Sequence, residues 1–133
     1  MKLDNRRNLT SRMAYIAGFI DGEGCIRIKK SNQSGNSYYV TLQVTNTDKK
    51  PLLLIKEIFW GKVFFQEKKP SNKVVWQYYS TTAEAVDTLR ALVGFLVSKK
   101  EQAELAIKFQ DTKSKLTAKE KAKLYDKMRR LKK

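Results

Sequence analysis

The sequence predicts an α+β domain in which a four-stranded antiparallel sheet carries helices on one face. The first reason is the order of the hydrophobic patterns, which reads helix, strand, strand, helix, strand, strand and then further helices. The second is that a short polar segment joins the strands of each pair, at residues 31–36 and 69–73. The third is the length, because 133 residues form a single domain, residues 1–133, around one core.

The charge balance narrows the class of partner. The chain has 28 Lys and Arg against 13 Asp and Glu, and a formal charge of +15. This excess favours a polyanion, with nucleic acid the leading interpretation and a membrane surface the second. The single cysteine, Cys25, excludes an internal disulfide and predicts a reducing, intracellular environment. No apolar run approaches the ~20 residues of a membrane span, and the polar start Met1–Arg7 lacks a signal-peptide core, so we expect no membrane partner.

The first predicted helix, at about residues 11–23, has an unusually flat side. A Thr-Ser pair just before it is suited to cap its start. At helical spacing Ala14, Gly18 and Gly22 fall on one side. A glycine inside a helix costs about 0.5–1 kcal/mol relative to alanine, so its presence needs a reason. The row predicts that another backbone packs directly against this side.

The first hairpin follows, because Gly24 turns the chain into an alternating pattern. Its apolar side is formed by Ile26 and Ile28 on one strand, and by Val40 and Leu42 on the returning strand. The opposite side carries Arg27, Lys29, Tyr39, Thr41 and Gln43. An ordinary solvent-exposed face has the same pattern, so one hairpin alone does not indicate binding.

The second half of the chain repeats this arrangement. Thr47 and Asp48 predict the cap of a helix that ends at Gly61. Residues 62–68 and 74–80 predict a second hairpin, on which Gln66 and Lys68 share one side. Residues 74–79 are bulky on both sides, and their orientation stays open. The recurrence of basic and amide side chains on both hairpins favours DNA binding by the uncovered face.

Three helices complete the predicted fold. Thr81 and Glu84 predict a capping box before the first, which Gly94 interrupts. The second covers residues 99–110. A further capping box opens a basic helix at about residues 117–132, whose apolar stripe is formed by Leu124, Tyr125, Met128 and Leu131.

Residues 16–24 read Ile-Ala-Gly-Phe-Ile-Asp-Gly-Glu-Gly, which resembles the LAGLIDADG motif with Glu in place of its second Asp. The order of elements extends the resemblance to most of the chain. It implies the αββαββα homing-endonuclease-like fold, with a saddle-shaped sheet. Because the chain has one motif, the resemblance also implies a homodimer. The implied interface residues are Ala14, Ala17, Gly18, Asp21 and Gly22.

The same resemblance implies a set of catalytic residues. Glu23, with the carbonyl of Gly22, would hold Mg²⁺, and Asn46 and Lys50 would order the solvent around the attacking water. The segment Lys-Lys-Glu-Gln-Ala resembles the family's K-x-x-Q-A segment, which makes Lys99 the catalytic lysine. Two departures stand out: Asn46 replaces a frequent Gln, and Gly94 a frequent Pro. Without the resemblance, Glu23 would simply end a helix and Lys99 would belong to a solvated helix start. Asn46 and Lys50 would then be ordinary turn residues.

The resemblance implies a site-specific DNA endonuclease of the kind found in mobile introns. It would cut a long palindromic or pseudo-palindromic site by Mg²⁺-dependent hydrolysis. Two alternatives stay open. One is a maturase or regulator of the same family that binds RNA or DNA without cutting, and the other is a ribosome-type RNA-binding protein suggested by charge alone. An organelle and a prokaryotic cytoplasm both fit the sequence.

Overall fold

A computed structural model describes residues 2–31, 37–68 and 73–132, with side chains described from residue 8 onward except those of Lys68 and Lys73. The elements are α1 (Lys2–Glu23), β1 (Gly24–Lys30), β2 (Tyr38–Asn46), α2 (Lys50–Phe59), β3 (Lys62–Lys68), β4 (Lys73–Thr81), α3 (Thr82–Leu92), α4 (Lys100–Thr112), a 3₁₀ turn (Lys113–Lys115) and α5 (Ala118–Leu131). No helix within these ranges is both long and apolar enough to cross a bilayer.

The four strands form one antiparallel sheet in the order β1-β2-β4-β3. Residues directly opposite each other on antiparallel strands project to the same side. Ile26 lies opposite Leu42, and Tyr78 lies opposite both Val44 and Val63. The side that these residues share is covered by helices, which confirms the predicted fold. We call the other side of the sheet the open face.

The core lies between the covered side of the sheet and the helices. Apolar residues at helical spacing on α1, α2, α3 and α4 pack onto the alternating apolar residues of the strands. Its fully buried members include Ile16, Ile20, Leu42, Leu52, Ile55, Tyr78, Leu89 and Phe109. The core fixes α1 against the sheet, so that the end of the motif helix runs directly into β1.

The structure corrects the predicted start of α1. The helix begins at Lys2 rather than near residue 11, and the predicted cap residues lie inside it. Residues 2–10 contain neither proline nor glycine, so nothing in the sequence stops the helix from extending toward the N-terminus.

The predicted helix caps had mixed outcomes. Thr117 and Glu120 form both hydrogen bonds of a capping box at the start of α5, as predicted. Asp48 accepts a hydrogen bond from the backbone N–H of Lys50 at 3.0 Å, but the residue that caps α2 is Lys49, whose side chain makes no capping hydrogen bond. The capping box at Thr81 is absent, and this prediction was wrong. Thr81 directly precedes α3 with the extended backbone usual for a cap, but its side chain makes no capping hydrogen bond, and Thr82, the first residue of α3, has a φ of 51° instead of a helical value.

The orientation of β4, which the sequence left open, follows from the register. Trp76, Tyr78 and Ser80 project to the covered side, whereas Gln77 and Tyr79 project to the open face. The edge of the Phe65 ring contacts the Trp76 ring, with centroids 5.3 Å apart. β4 therefore has bulky side chains on both sides because one set packs on the covered side of the sheet and the other lies on the open face.

Candidate nucleic-acid interface and catalytic end of the motif helix

The open face gathers the polar side chains that the two hairpins were expected to share. Arg27, Thr41 and Thr81 lie opposite one another across three strands, as do Lys29 and Tyr39 on two. Gln43 and Tyr79 pair on the same side, and Gln66 is opposite Val75. The structure therefore places Arg27, Lys29, Tyr39, Thr41, Gln43 and Gln66 on one side of the sheet. Lys68 ends β3, and its side chain lies outside the described residues.

Thr41 requires a correction, because its side chain has no exposed surface. It is a small residue on an inner strand, between the longer side chain of Arg27 and its other cross-strand neighbour Thr81. A ligand lying on the open face cannot touch it in this conformation. The expectation of a direct contact was therefore wrong.

Two further open-face residues were missed from the sequence. Gln77 and Tyr79 project from β4, the strand with ambiguous sides. The Lys29 ammonium lies 5.8 Å from the centre of the Tyr79 ring, which holds a cation over an aromatic face. An amide and an aromatic ring thus lie on the open face between β2 and β3. The register of β4 against β2 is the signal that identifies them.

The flat side of α1 is open in this chain. A Cβ atom added at Gly18 or at Gly22 would meet no atom within 4 Å. An open depression of about 610 Å³ lies along this side. It is lined by Ala14, Tyr15, Gly18, Phe19, Gly22, Glu23, Asn46, Asp48 and Pro51. Nothing in the packing of the described residues therefore requires glycine at these two positions.

Ala17 and Asp21 do not line this open depression, so the structure gives no support for placing them at an interface with the glycine row. Ala17 is fully buried in the core. The carboxylate of Asp21 accepts two hydrogen bonds within the chain, from the backbone N–H of Val97 at 2.9 Å and that of Lys99 at 3.0 Å. Each residue directly precedes a member of the glycine row, and one step along a helix turns the side chain by about 100°.

Lys99 is fixed at the last turn of α1. Its ammonium donates a hydrogen bond to the backbone carbonyl of Asp21 at 2.6 Å. The first residue of α4 follows Lys99, so the Asp21 carboxylate also lies at the positive end of that helix. The two contacts hold the predicted catalytic lysine against Asp21, which precedes Glu23 by two positions in the sequence.

Glu23 ends α1 with an exposed side chain and shares the depression with Gly22 and Asn46. The Asn46 side-chain oxygen accepts a hydrogen bond from the backbone N–H of Asp48 at 2.9 Å, which orients the amide. Lys50 is exposed at the start of α2 and does not line the depression. The structure thus brings Glu23, Gly22 and Asn46 together with Lys99 nearby, whereas Lys50 lies at the margin.

Cys25 and Lys132 form a contact that the sequence did not predict. The Lys132 ammonium donates to the Cys25 sulfur at 2.9 Å. Burial raises the pKa of the Cys25 thiol, but the hydrogen bond and charge of Lys132, together with Arg27, outweigh it and lower the pKa overall. Burial, with the charges of Arg27 and Lys99, lowers the pKa of Lys132. Lys132 therefore lies beside the open face.

The end of α1 has the chemistry of a divalent-cation site. The last carbonyls of a helix lack partners within it and carry partial negative charge. Glu23 adds a carboxylate, and the Asn46 amide adds a neutral oxygen. Mg²⁺ prefers such hard oxygen ligands and keeps several waters. Within the described ranges no three His, Cys, Asp or Glu residues cluster as a metal site. One chain therefore offers part of a ligand set, with room for water, phosphate and a second carboxylate.

Comparison with known proteins identifies relatives of this fold. The family model for LAGLIDADG endonuclease matches residues 16–110. The homing endonuclease I-CvuI, solved with the I-CreI target and Mg, with the DNA not cleaved, superposes with a TM-score of 0.75 at 25% identity, covering 92% of this chain and 82% of that one. I-CvuI with its own target and Ca gives a TM-score of 0.72 at 27% identity, covering 90% and 81%.

A more distant structure has the same fold. The archaeal intron-encoded homing endonuclease I-Vdi141I, in complex with DNA, gives a TM-score of 0.74 at 19% identity, covering 92% of this chain and 84% of that one. No curated protein matched the sequence.

Proposed function

The chain belongs to the LAGLIDADG endonuclease family of DNA endonucleases, and from this premise we propose that it acts as a homodimer and cuts both strands of a long palindromic or pseudo-palindromic site with the help of a divalent metal. One observation carries the proposal. The exposed carboxylate of Glu23 lies where the open small-residue row of α1 meets the cationic open face of the sheet. The proposed dimer contact, metal ligand and DNA surface would therefore meet at one end of the molecule.

The dimer argument rests on the row Ala14, Gly18 and Gly22. Small residues on a helix let a second helix approach closely, and two copies related by a two-fold axis present the same surface to each other. Packing of α1 against α1 would bring the two Glu23 carboxylates to the axis. A two-fold protein matches a DNA site whose half-sites are inverted repeats.

The catalytic residues would divide the work at the scissile phosphate. When bound by Glu23 and the carbonyl of Gly22, a divalent metal supplies Lewis acidity and lowers the pKa of water. Lys99 uses one of its three N–H donors on Asp21, which leaves two to face a phosphate oxygen. The Asn46 amide, oriented by Asp48, is suited to hold a water by hydrogen bonding.

The open face would read the half-site in the major groove. Arg27 and Lys29 are suited to the O6 and N7 acceptors of guanine, and the amides of Gln43, Gln66 and Gln77 to adenine. The antiparallel strands arrange these side chains in rows across the open face, and each row would face successive base pairs of the half-site.

The test is selection of cleaved sites from a library of randomised duplexes incubated with the protein and MgCl₂, followed by sequencing of the ends. We expect both strands to be cut at a fixed offset within an inverted repeat, and no enrichment with EDTA. The matched control is Glu23→Gln, which keeps the shape of the side chain and removes its charge.

The outcomes separate the possible functions. Specific binding without cleavage by the parent protein would favour a non-cutting member of the family. Undiminished cleavage by Glu23→Gln would remove Glu23 from the mechanism. Cutting within sites that lack inverted symmetry would contradict the homodimer.

A further inference from the structure

A groove lies between β1 and α5, outside the catalytic end. It encloses about 650 Å³ and is lined by Arg27, Ile28, Lys29, Lys30, Tyr125, Met128, Arg129 and Lys132. Five of these eight residues are cationic and none is acidic. The remaining three give it an apolar and aromatic floor. We name it the β1–α5 groove.

The groove is built by docking of α5 along the edge strand β1. The Tyr125 and Tyr38 rings pack with centroids 5.4 Å apart, and Met128 is buried. At the far end Lys132 reaches Cys25, whose side chain belongs to the open face. The helix thus runs alongside β1, with its start held by a capping box.

The charges in the groove are not neutralised by carboxylates of the described chain. The ion pairs found between described side chains are Arg12 with Glu57 and Arg90 with Asp111, and neither involves the groove. Like charges gathered at one place repel one another, and a bound anion removes that cost. Burial is the largest cause that lowers the pKa of Lys132, and the charges of Arg27 and Lys99 act in the same direction, against the raising effect of Cys25.

The position of the groove identifies the anion. Arg27 and Lys29 belong both to the open face and to the groove, so the two surfaces are continuous. A duplex lying on the open face would bring a phosphate backbone along the edge of β1. Resting on the proposed function, we propose that the β1–α5 groove binds the sugar–phosphate backbone of the same DNA duplex, and that Arg129 and Lys132 contact its phosphates without reading sequence.

Helix α5 supplies its own matched controls. Arg130 and Lys127 lie on another side of the helix, where they line a separate depression with Lys123, Leu124 and Asp126. The groove variant combines Arg129→Gln with Lys132→Gln, and the control variant combines Arg130→Gln with Lys127→Gln. Each removes two positive charges from α5 or its C-cap. An effect of net charge alone would be equal in the two double variants.

The experiment measures the affinity of each double variant for a labelled duplex of mixed sequence across a series of KCl concentrations. Each phosphate contact contributes about 0.9 to the slope of log K against log salt. We expect the groove variant to lose about 1.8 from the slope and the control variant to lose far less. Thermal unfolding by circular dichroism checks that both variants keep the fold.

Each result decides the proposal. Equal changes of slope in both variants would mean that only the net charge of the protein matters, and this result would overturn the proposal. Tighter binding of a hairpin RNA than of the duplex, lost in the groove variant alone, would assign the groove to RNA and also overturn it. If the parent protein binds duplex but cuts no site, the proposed function fails while the groove result stands by itself.

Discussion

Asp21 joins the motif helix by three hydrogen bonds to the segment just before α4, one from Val97 and two from the predicted catalytic residue Lys99. Its carboxylate accepts from two backbone N–H groups at the start of α4, and its carbonyl accepts from the Lys99 ammonium. Hydrogen bonds to a charged group are stronger than neutral ones, so this contact fixes α4 against α1. The acid next to the glycine row therefore acts as an internal brace, whereas Glu23 faces outward.

Asp21→Asn should weaken both the fold and the catalytic geometry. The amide keeps one acceptor oxygen but turns its NH₂ group toward a backbone N–H, so one hydrogen bond is lost. We expect the free energy of unfolding to fall by about 1.5–3 kcal/mol, measured by urea titration. Cleavage should fall more than DNA affinity, because Lys99 loses its support.

The control for this brace is Asp111→Asn, which breaks the exposed pair with Arg90. Surface ion pairs contribute little, so the loss of stability should be smaller. Equal losses in the two variants, with cleavage unchanged in both, would mean that Asp21 does not position Lys99.

Glu23→Gln should separate cutting from binding. The side chain keeps its size but no longer carries the charge that would hold a metal, so cleavage in Mg²⁺ should fall to background. Specific binding in Ca²⁺ should survive, because the open face is unchanged. Without metal, the variant should dimerise at least as tightly as the parent, since two facing carboxylates repel. A binding titration beside a nicking assay and sedimentation measures all three.

At the scale of elements, the glycines of α1 and β1 serve different purposes. A Cβ at Gly18 would meet open space, whereas a Cβ at Gly24 would lie 2.8 Å from the Ile20 side chain and 2.9 Å from its carbonyl oxygen. Gly24 is thus required by the fold of one chain. Gly18 is required only if a second molecule packs against it.

Gly18→Leu should therefore give a folded monomer. The leucine side chain projects from the small-residue row, where it keeps a second α1 from approaching, and overpacking costs about 1–3 kcal/mol. Sedimentation should show monomer, while circular dichroism shows parental helix content and thermal stability. Gly24→Ala is the opposite control, because it should lower the unfolding temperature of the chain itself. A tight dimer of folded Gly18→Leu would place the interface elsewhere.

The elements differ in how far the sequence could predict them. Periodicity was sufficient for β1, β2 and the buried side of α3, because each alternates or repeats cleanly. It failed for Thr81, where an ideal cap sequence lies within the last pairing of β4, and for β4 itself, where both sides are bulky. The motif pointed to Glu23 and the later K-x-x-Q-A resemblance to Lys99, and the catalytic roles of both stay predictions. The inward direction of Ala17 and Asp21 and the burial of Thr41 depend on packing, which sequence spacing alone does not specify.

At the scale of the whole molecule, two cationic surfaces meet at β1. The open face presents cations beside amides and an aromatic ring, a mixture suited to base edges. The β1–α5 groove presents cations over an apolar floor, which suits phosphates that carry no sequence information. Residues of β1 would therefore take part both in base recognition and in binding of the DNA backbone.

Comparing two arginines tests this division. Arg27→Ala should change the consensus obtained from selection on randomised duplexes, because a bidentate contact to guanine discriminates by about 1–3 kcal/mol at one position. Arg129→Gln should weaken binding to all sequences alike and return the parental consensus. Arg27 also lines the groove, so some loss of general affinity should accompany its change of consensus. If Arg27→Ala returns the parental consensus at every position, base reading does not depend on this part of the open face.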